Sequence, residues 1–227
     1  MSFFILTLLL HLSSCADMEI KPKIIYVGDP MCSWCYGVSN ELQSTLKEFE
    51  DHCEFELVMG GLRPYNTQTM NEIKDFLGHH WKDVSKASGM HFNYEILEDT
   101  TITYDTEPPC RAVVVVKQMD LKKAFPFFKA VQAAFYKDNK NMQLVDSYVP
   151  ILRDLGLSVE EFEKAFASDK MKAAVRKDFE RSASLGVNSF PTLLLEKDGK
   201  IEVIARGFAT KEAMIAKISN KLTKSKN

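Results

Sequence analysis

A chain of 227 residues can bury a substantial core, either as one elaborated domain or as two small ones. Hydrophobic residues make up 45% and charged residues 26%, an ordinary balance for a soluble globular protein. The formal charge of −2 offers no basic excess for nucleic acid, and the tail lysines Lys221, Lys224 and Lys226 read as a solvated end. Its five cysteines, Cys15, Cys32, Cys35, Cys53 and Cys110, are too dispersed for a scaffold built on disulfides. Zinc would need a second close pair of ligands, and His79-His80 would diverge on a helix, so no metal is expected.

Residues 1–22 read as a signal-like segment and linker. Phe3 to Leu10 is almost wholly apolar, too short to span a bilayer but of the length of a secretory h-region. Leu12-Ser13-Ser14-Cys15 looks like a bacterial lipobox, in which Cys15 would carry the lipid. That reading puts the protein in the bacterial cell envelope or periplasm, anchored to the membrane as a lipoprotein. No Lys or Arg precedes the apolar run, which argues against a signal, and an apolar extension packed on a cytoplasmic domain is the competing reading; export is the one preferred.

Lys23 to Val27 is β-branched and aromatic, a buried strand broken by Gly28-Asp29-Pro30. Val38, Leu42, Leu46 and Phe49 then recur at helical spacing, so a helix runs from Ser33 to about Glu50. Glu54 to Met59 alternates as a second strand, parallel to the first through a right-handed crossover. Residues 66–168 carry helical signals: Thr69 to Leu77 and Trp81 to Ser88 as two short helices separated by Gly78, then Cys110 to Met119, Leu121 to Tyr136, Leu144 to Leu155 and Val159 to Ala167. Thr100 to Tyr104 reads as extended. Strand signals return after a helix from Met171 to Leu185: Thr192 to Leu195 and Ile201 to Ala205 flank a hairpin turn at Lys197-Asp198-Gly199-Lys200. Lys211 to Leu222 closes the chain as a helix. The order β-α-β, helical insertion, α-β-β-α divides it into an α/β domain, residues 23–65 and 169–227, and an inserted helical domain, residues 66–168.

The chemistry concentrates where the first strand hands over to the first helix. Cys32 and Cys35 are three residues apart, so both fit on one turn and can close a disulfide. Unpaired N–H groups and the positive dipole end of a helix favour a thiolate there. The expectation is a dithiol/disulfide redox site that needs no other cofactor. Asp29 could relay protons to Cys35 if buried, against a solvated turn aspartate. Trp34, Tyr36 and Phe190 would form an apolar rim, against plain core packing. Cys110 starts a helix after Pro108-Pro109 and could be a second reactive thiol; Arg111 brings charge near the site or makes a structural ion pair. Cys53 reads as a buried inert cysteine, with a Cys53–Cys110 disulfide as the other option. Pro191 stands at a strand start, where its missing N–H is tolerated, in either isomer.

Strand, Cys-x-x-Cys at a helix start, and a later Val-x-x-Phe-Pro-Thr before a hairpin resemble the thioredoxin fold, and the helical insertion resembles its DsbA-like branch. Asp29-Pro-Met-Cys-Ser-Trp-Cys-Tyr-Gly37, Gly60-Gly-Leu-Arg-Pro64, Gly78-His-His-Trp81 and Tyr104-Asp-Thr-Glu-Pro-Pro-Cys-Arg-Ala112 are similar to bacterial proteins assigned as protein-disulfide isomerases and related to FrnE. The resemblance implies a thioredoxin-like fold, Cys32 as nucleophile, Cys35 as resolving thiol and Pro191 as a cis proline facing them. It implies cysteine-containing polypeptides as substrates and an unnamed redox partner. Ser33-Trp34 stands where DsbA has Pro-His, so the cation between the cysteines is absent and a less oxidising dithiol is expected. Kappa-class glutathione transferases and related isomerases share the architecture but carry serine at the Cys32 position. The remaining alternative is a peptide-binding, chaperone-like module with a passive disulfide.

Overall fold

The computed structural model describes residues 21–223. Four strands, β1 (Lys23–Gly28), β2 (Glu54–Met59), β3 (Thr192–Lys197) and β4 (Lys200–Arg206), form one sheet in the order β2-β1-β3-β4. β1 runs parallel to β2 and antiparallel to β3, and β3 pairs antiparallel with β4. Asp198 and Gly199 both take positive φ, the turn geometry that matches strand twist in a two-residue hairpin. Helices α1 (Ser33–Glu48), α7 (Asp169–Ser184) and α8 (Lys211–Thr223) complete the sheet unit. The chain therefore has the mixed α/β, thioredoxin-like architecture expected.

Alternation along β1 sorts the core. Ile25 and Val27 face one side, with Val58, Val187 and Leu194. Ile24 and Tyr26 face the other, where they join one continuous core with the helices between β2 and α7. Those helices are α2 (Lys74–Ser88), α3 (Glu107–Met119), α4 (Leu121–Tyr136), α5 (Val149–Asp154) and α6 (Val159–Ala167). Their interior is aromatic: Trp81, Phe127, Phe135, Tyr136, Tyr148 and Phe162 are fully buried. Among the described residues, no helix is long and apolar enough to cross a membrane.

Two expected boundaries move. Gly78 does not break the helix: α2 runs through it, because Leu77, Trp81 and Val84 form one buried stripe at i, i+4 and i+7. The helical stretch opens on a 3-10 turn, Asn71–Ile73, with Thr69 and Glu72 capping each other reciprocally there, and stops at Gly89 with φ 71°. The expected helix from Leu144 becomes a 3-10 turn, Val145–Tyr148, followed by α5, whose Pro150 lacks the N–H that continuation would require. Four consecutive valines, Val113 to Val116, stay helical in α3 because every one is buried, so packing overrides their strand preference. Thr103 makes only an isolated bridge to Thr69.

Candidate active site

The loop from β1 to α1 delivers the two cysteines to the carboxyl end of β1. Cys32 is the N-cap of α1, with extended φ −85° and ψ 116°, and its N–H donates to the Asp29 carbonyl at 3.1 Å. Its thiol donates to the Phe190 carbonyl at 3.5 Å, just before the cis Phe190–Pro191 bond. Cys35 lies one turn further into α1 and is fully buried. Burial first, then the hydrogen bond and charge of Cys32, push its thiol well above the ordinary cysteine range.

The backbone beneath Cys32 is clamped from the helical insertion. The Met31 carbonyl accepts two phenolic O–H groups, from Tyr104 and from Tyr136, the latter at 2.5 Å. Desolvation holds both phenols protonated far beyond their usual range, so each remains a donor. Asp29, fully buried, fixes the same loop from the other side. Its Oδ1 accepts the Met31 N–H at 2.8 Å, and its Oδ2 accepts the Leu62 N–H at 2.7 Å and the Cys110 thiol at 3.3 Å. Burial raises the Asp29 pKa even though these donors pull it down.

Gly60-Gly61-Leu62 is thereby tied to the cysteine loop, and glycine is needed there for room. A Cβ on Gly60 would sit 2.1 Å from the Phe190 ring. Phe190 can therefore lie against β2's end while its carbonyl faces Cys32. Trp34 and Phe190 are half-buried, and Leu62 and Tyr65 are exposed on the adjoining loop.

The remaining sequence candidates fall in different places. Tyr36 is not on the rim: it is buried, stacked on Tyr136 with centroids 4.8 Å apart, and donates to the His91 carbonyl at 3.1 Å. An aromatic at the next turn of α1 faces the insertion rather than solvent. Ser33 is half-buried in the first turn of α1. Asp29 is a buried acceptor, not a solvated turn residue. Cys110 is fully buried, and burial followed by the Asp29 charge raises its pKa well above that of a free thiol. Such a thiol is a poor nucleophile. Arg111 turns away from it: the guanidinium pairs with Glu107 at 2.9 Å, donates to the Phe166 carbonyl and lies 4.1 Å over the Phe166 ring. Cys53 precedes β2, whose first residue, Glu54, pairs with Lys23 at the far end of β1 from Asp29. It is a free buried thiol, as is Cys110, and no disulfide joins them. Cys15 lies outside the described residues. Among the described residues, no group of three or more His, Cys, Asp or Glu side chains could hold a metal.

Sequence reasoning missed the tyrosine clamp. Tyr104 opens the Tyr-Asp-Thr-Glu-Pro-Pro-Cys-Arg-Ala motif, but nothing marks Tyr136, which lies 105 residues from the carbonyl that it meets.

The family model described as Thioredoxin matches residues 25–204. A crystal structure of a protein assigned as a disulfide isomerase, from Nitrosomonas europaea, is 32% identical, covers 91% of this chain and all of its own, and superposes with a TM-score of 0.84. The cytosolic disulfide reductase DsbM from Pseudomonas aeruginosa is 23% identical over 89% of this chain and all of its own, with a TM-score of 0.75. The ClpXP adapter protein SpxH of Bacillus subtilis is 22% identical over 194 residues, 81% of this chain, and this chain spans only 62% of its length. With the match running from β1 into β4, the chain belongs to the thioredoxin family.

Proposed function

We propose that the protein is a thiol–disulfide oxidoreductase that exchanges disulfides with cysteine-containing polypeptides, in the isomerase or reductase direction. One observation carries this reading: Cys32 caps α1 at the carboxyl end of β1, with Cys35 buried one turn behind it. That order suits Cys32, itself 4% exposed, to take up the substrate sulfur and Cys35 to resolve the mixed disulfide. Cys32 thiolate attacks a substrate disulfide, one substrate sulfur leaves as thiolate, and a mixed disulfide forms. Cys35 then attacks the Cys32 sulfur, which closes the Cys32–Cys35 disulfide and releases the second substrate thiol. The substrate is reduced by two electrons, and the dithiol is oxidised by two.

Trp34 and Phe190 form the apolar border of the site, and the Phe190 carbonyl and Pro191 stand beside Cys32. An extended polypeptide suits such a border better than a small polar thiol does. The absence of a cation between the cysteines supports a less oxidising pair than a Pro-His sequence would give. Export and a lipid on Cys15 belong to the same proposal and would place the reaction in the cell envelope; incorporation of labelled palmitate checks them.

Insulin reduction by dithiothreitol tests the catalytic reading. Wild type accelerates precipitation, Cys32→Ser loses that acceleration, and Cys35→Ser accumulates mixed disulfide. Equal rates for wild type and Cys32→Ser would leave a binding module, and glutathione turnover surviving Cys35→Ser would favour a transferase.

A further inference from the structure

The arginines differ in what balances their charge. Arg153, Arg176 and Arg206 are exposed, where water solvates the guanidinium. Arg111 and Arg181 are partly buried, and each pairs with a carboxylate, Glu107 and Glu56 respectively. Arg63 is partly buried as well, yet no carboxylate among the described residues lies within ion-pair distance of it. Its Nη1 donates to Gln68 Oε1 at 3.3 Å, which leaves most of its N–H groups to place. A cation drawn partly out of water calls for a counter-charge.

This guanidinium is nonetheless fixed. Its carbon lies 5.7 Å from the centre of the Phe76 ring and 6.0 Å from that of Tyr104. Aromatic faces hold a guanidinium while leaving its N–H edge open to a planar acceptor. The backbone is fixed too: the Arg63 N–H donates to Thr106 Oγ1 at 3.0 Å, and its carbonyl accepts the Thr106 N–H at 3.1 Å. Tyr65 follows with φ 63°, rare for an aromatic residue, and its N–H donates to Asp105 Oδ1 at 2.7 Å. The same Asp105 oxygen accepts the Glu107 N–H, so backbone already engages that carboxylate. Exposed Leu62 and Tyr65 flank the cation.

Two ties place this cation beside the dithiol. Leu62, its neighbour in sequence, donates its N–H to Asp29 Oδ2 at 2.7 Å. Tyr104, whose ring the guanidinium covers, donates its hydroxyl to the Met31 carbonyl, the peptide group that leads into Cys32. One aromatic ring therefore bridges the cation and the Cys32 peptide. We propose that Arg63 is a specificity residue that binds an acidic side chain of the polypeptide substrate, close in sequence to the reactive cysteine. The inference rests on the thiol–disulfide reading and adds to it the charge preference of the substrate. A substrate carboxylate takes the open N–H edge as a bidentate acceptor and supplies the missing counter-charge. Extended chain advances about 3.3 Å per residue, so an acid about two or three positions from the substrate sulfur spans a tyrosine ring with a contact at each end.

Synthetic peptides test this when each carries one cysteine as a disulfide with thionitrobenzoate. Cys32 thiolate attacks the peptide sulfur, a mixed disulfide forms, and the coloured thiolate that leaves reports the rate. Matched peptides place Glu or Gln about two or three positions to either side of the cysteine, with no other charge. At low salt the wild type is expected to react about fivefold faster with the best Glu peptide than with its Gln match, the effect of one partly exposed ion pair. The ratio should shrink at about 0.5 M sodium chloride. Arg63→Gln should bring it to about one, and Arg63→Lys should restore part of it, since the charge returns without the planar fork. Equal wild-type rates on Glu and Gln peptides, or a preference that persists in Arg63→Gln, overturn the inference; the wild-type comparison decides if the variant does not fold. A preference found only between glutathione and its diester, each as the same mixed disulfide, would overturn it in favour of a small acidic thiol. Absence of release from the peptides and from Ellman's reagent alike would instead overturn the redox reading on which it rests.

Discussion

The sheet unit and the inserted helices divide the labour around Cys32 differently from what their sequence order suggests. The sheet unit owns both sulfurs and the Phe190 carbonyl, and its core is aliphatic, built from Ile25, Val27, Val58 and Leu194. The insertion owns no atom expected to react, yet it supplies the aromatic core and the two phenols that grip the Met31 carbonyl next to Cys32. A reactive group and the structure that aims it can therefore come from separate stretches of chain. The stability of the insertion becomes a control on the chemistry of the sheet.

The strongest way to break this comparison is to empty the insertion. Trp81→Ala removes a fully buried indole that packs on Phe92, Phe135 and Tyr136, and should lower stability by about 3–5 kcal/mol. It should slow Cys32 attack as well, because Tyr136 is one of its contacts. Denaturant melts and thiol-exchange rates on the same sample check both. An unchanged exchange rate in a folded variant would make the insertion a mere cover.

A finer test removes the phenols singly and together. Tyr104→Phe and Tyr136→Phe each take one donor from one carbonyl, so each should cost about 1–2 kcal/mol. The double variant should cost more than the sum of the singles, since either phenol alone still satisfies the acceptor. Strict additivity in the cycle would show that the two act independently.

Asp29 offers the smallest effect and the one tied to pH. Burial raises its pKa in the folded chain above the unfolded value of about 3.9. A raised folded pKa means that its contribution to stability is full below the unfolded value and is lost as pH rises through the folded one. Wild type should therefore lose stability relative to Asp29→Asn as pH rises from about 4, by at most about 1.4 kcal/mol per unit. A difference that is flat or grows over that range would mean that the three donors on Asp29 outweigh its desolvation.

Much of this arrangement is legible in the residues alone. The strands, the hairpin and most helices follow from period and punctuation, and the cysteine spacing at a strand–helix junction places the dithiol. What escapes is long-range or depends on burial. Tyr36 reads as rim or core with equal ease, because its neighbours Phe92 and Tyr136 lie far along the chain. Asp29 looks like a turn aspartate because nothing local reveals that Leu62 and Cys110 enclose it. Gly78 looks like a break because a glycine's local preference says nothing of the stripe on either side.

The strand order has a consequence for the life of the chain before it is native. β1 is the centre of the sheet, but its antiparallel neighbour β3 is made last but one: Ile25 waits for Leu194, and Cys32 for a carbonyl 158 residues downstream. The inserted helices are held together largely by nearer contacts and can form first, since contacts close in sequence form fastest. During synthesis the two thiols thus emerge early and stay without their final wall until β3 has been made. Nascent protein passes through a stage in which Cys32 has neither the Phe190 carbonyl nor β3 beside it.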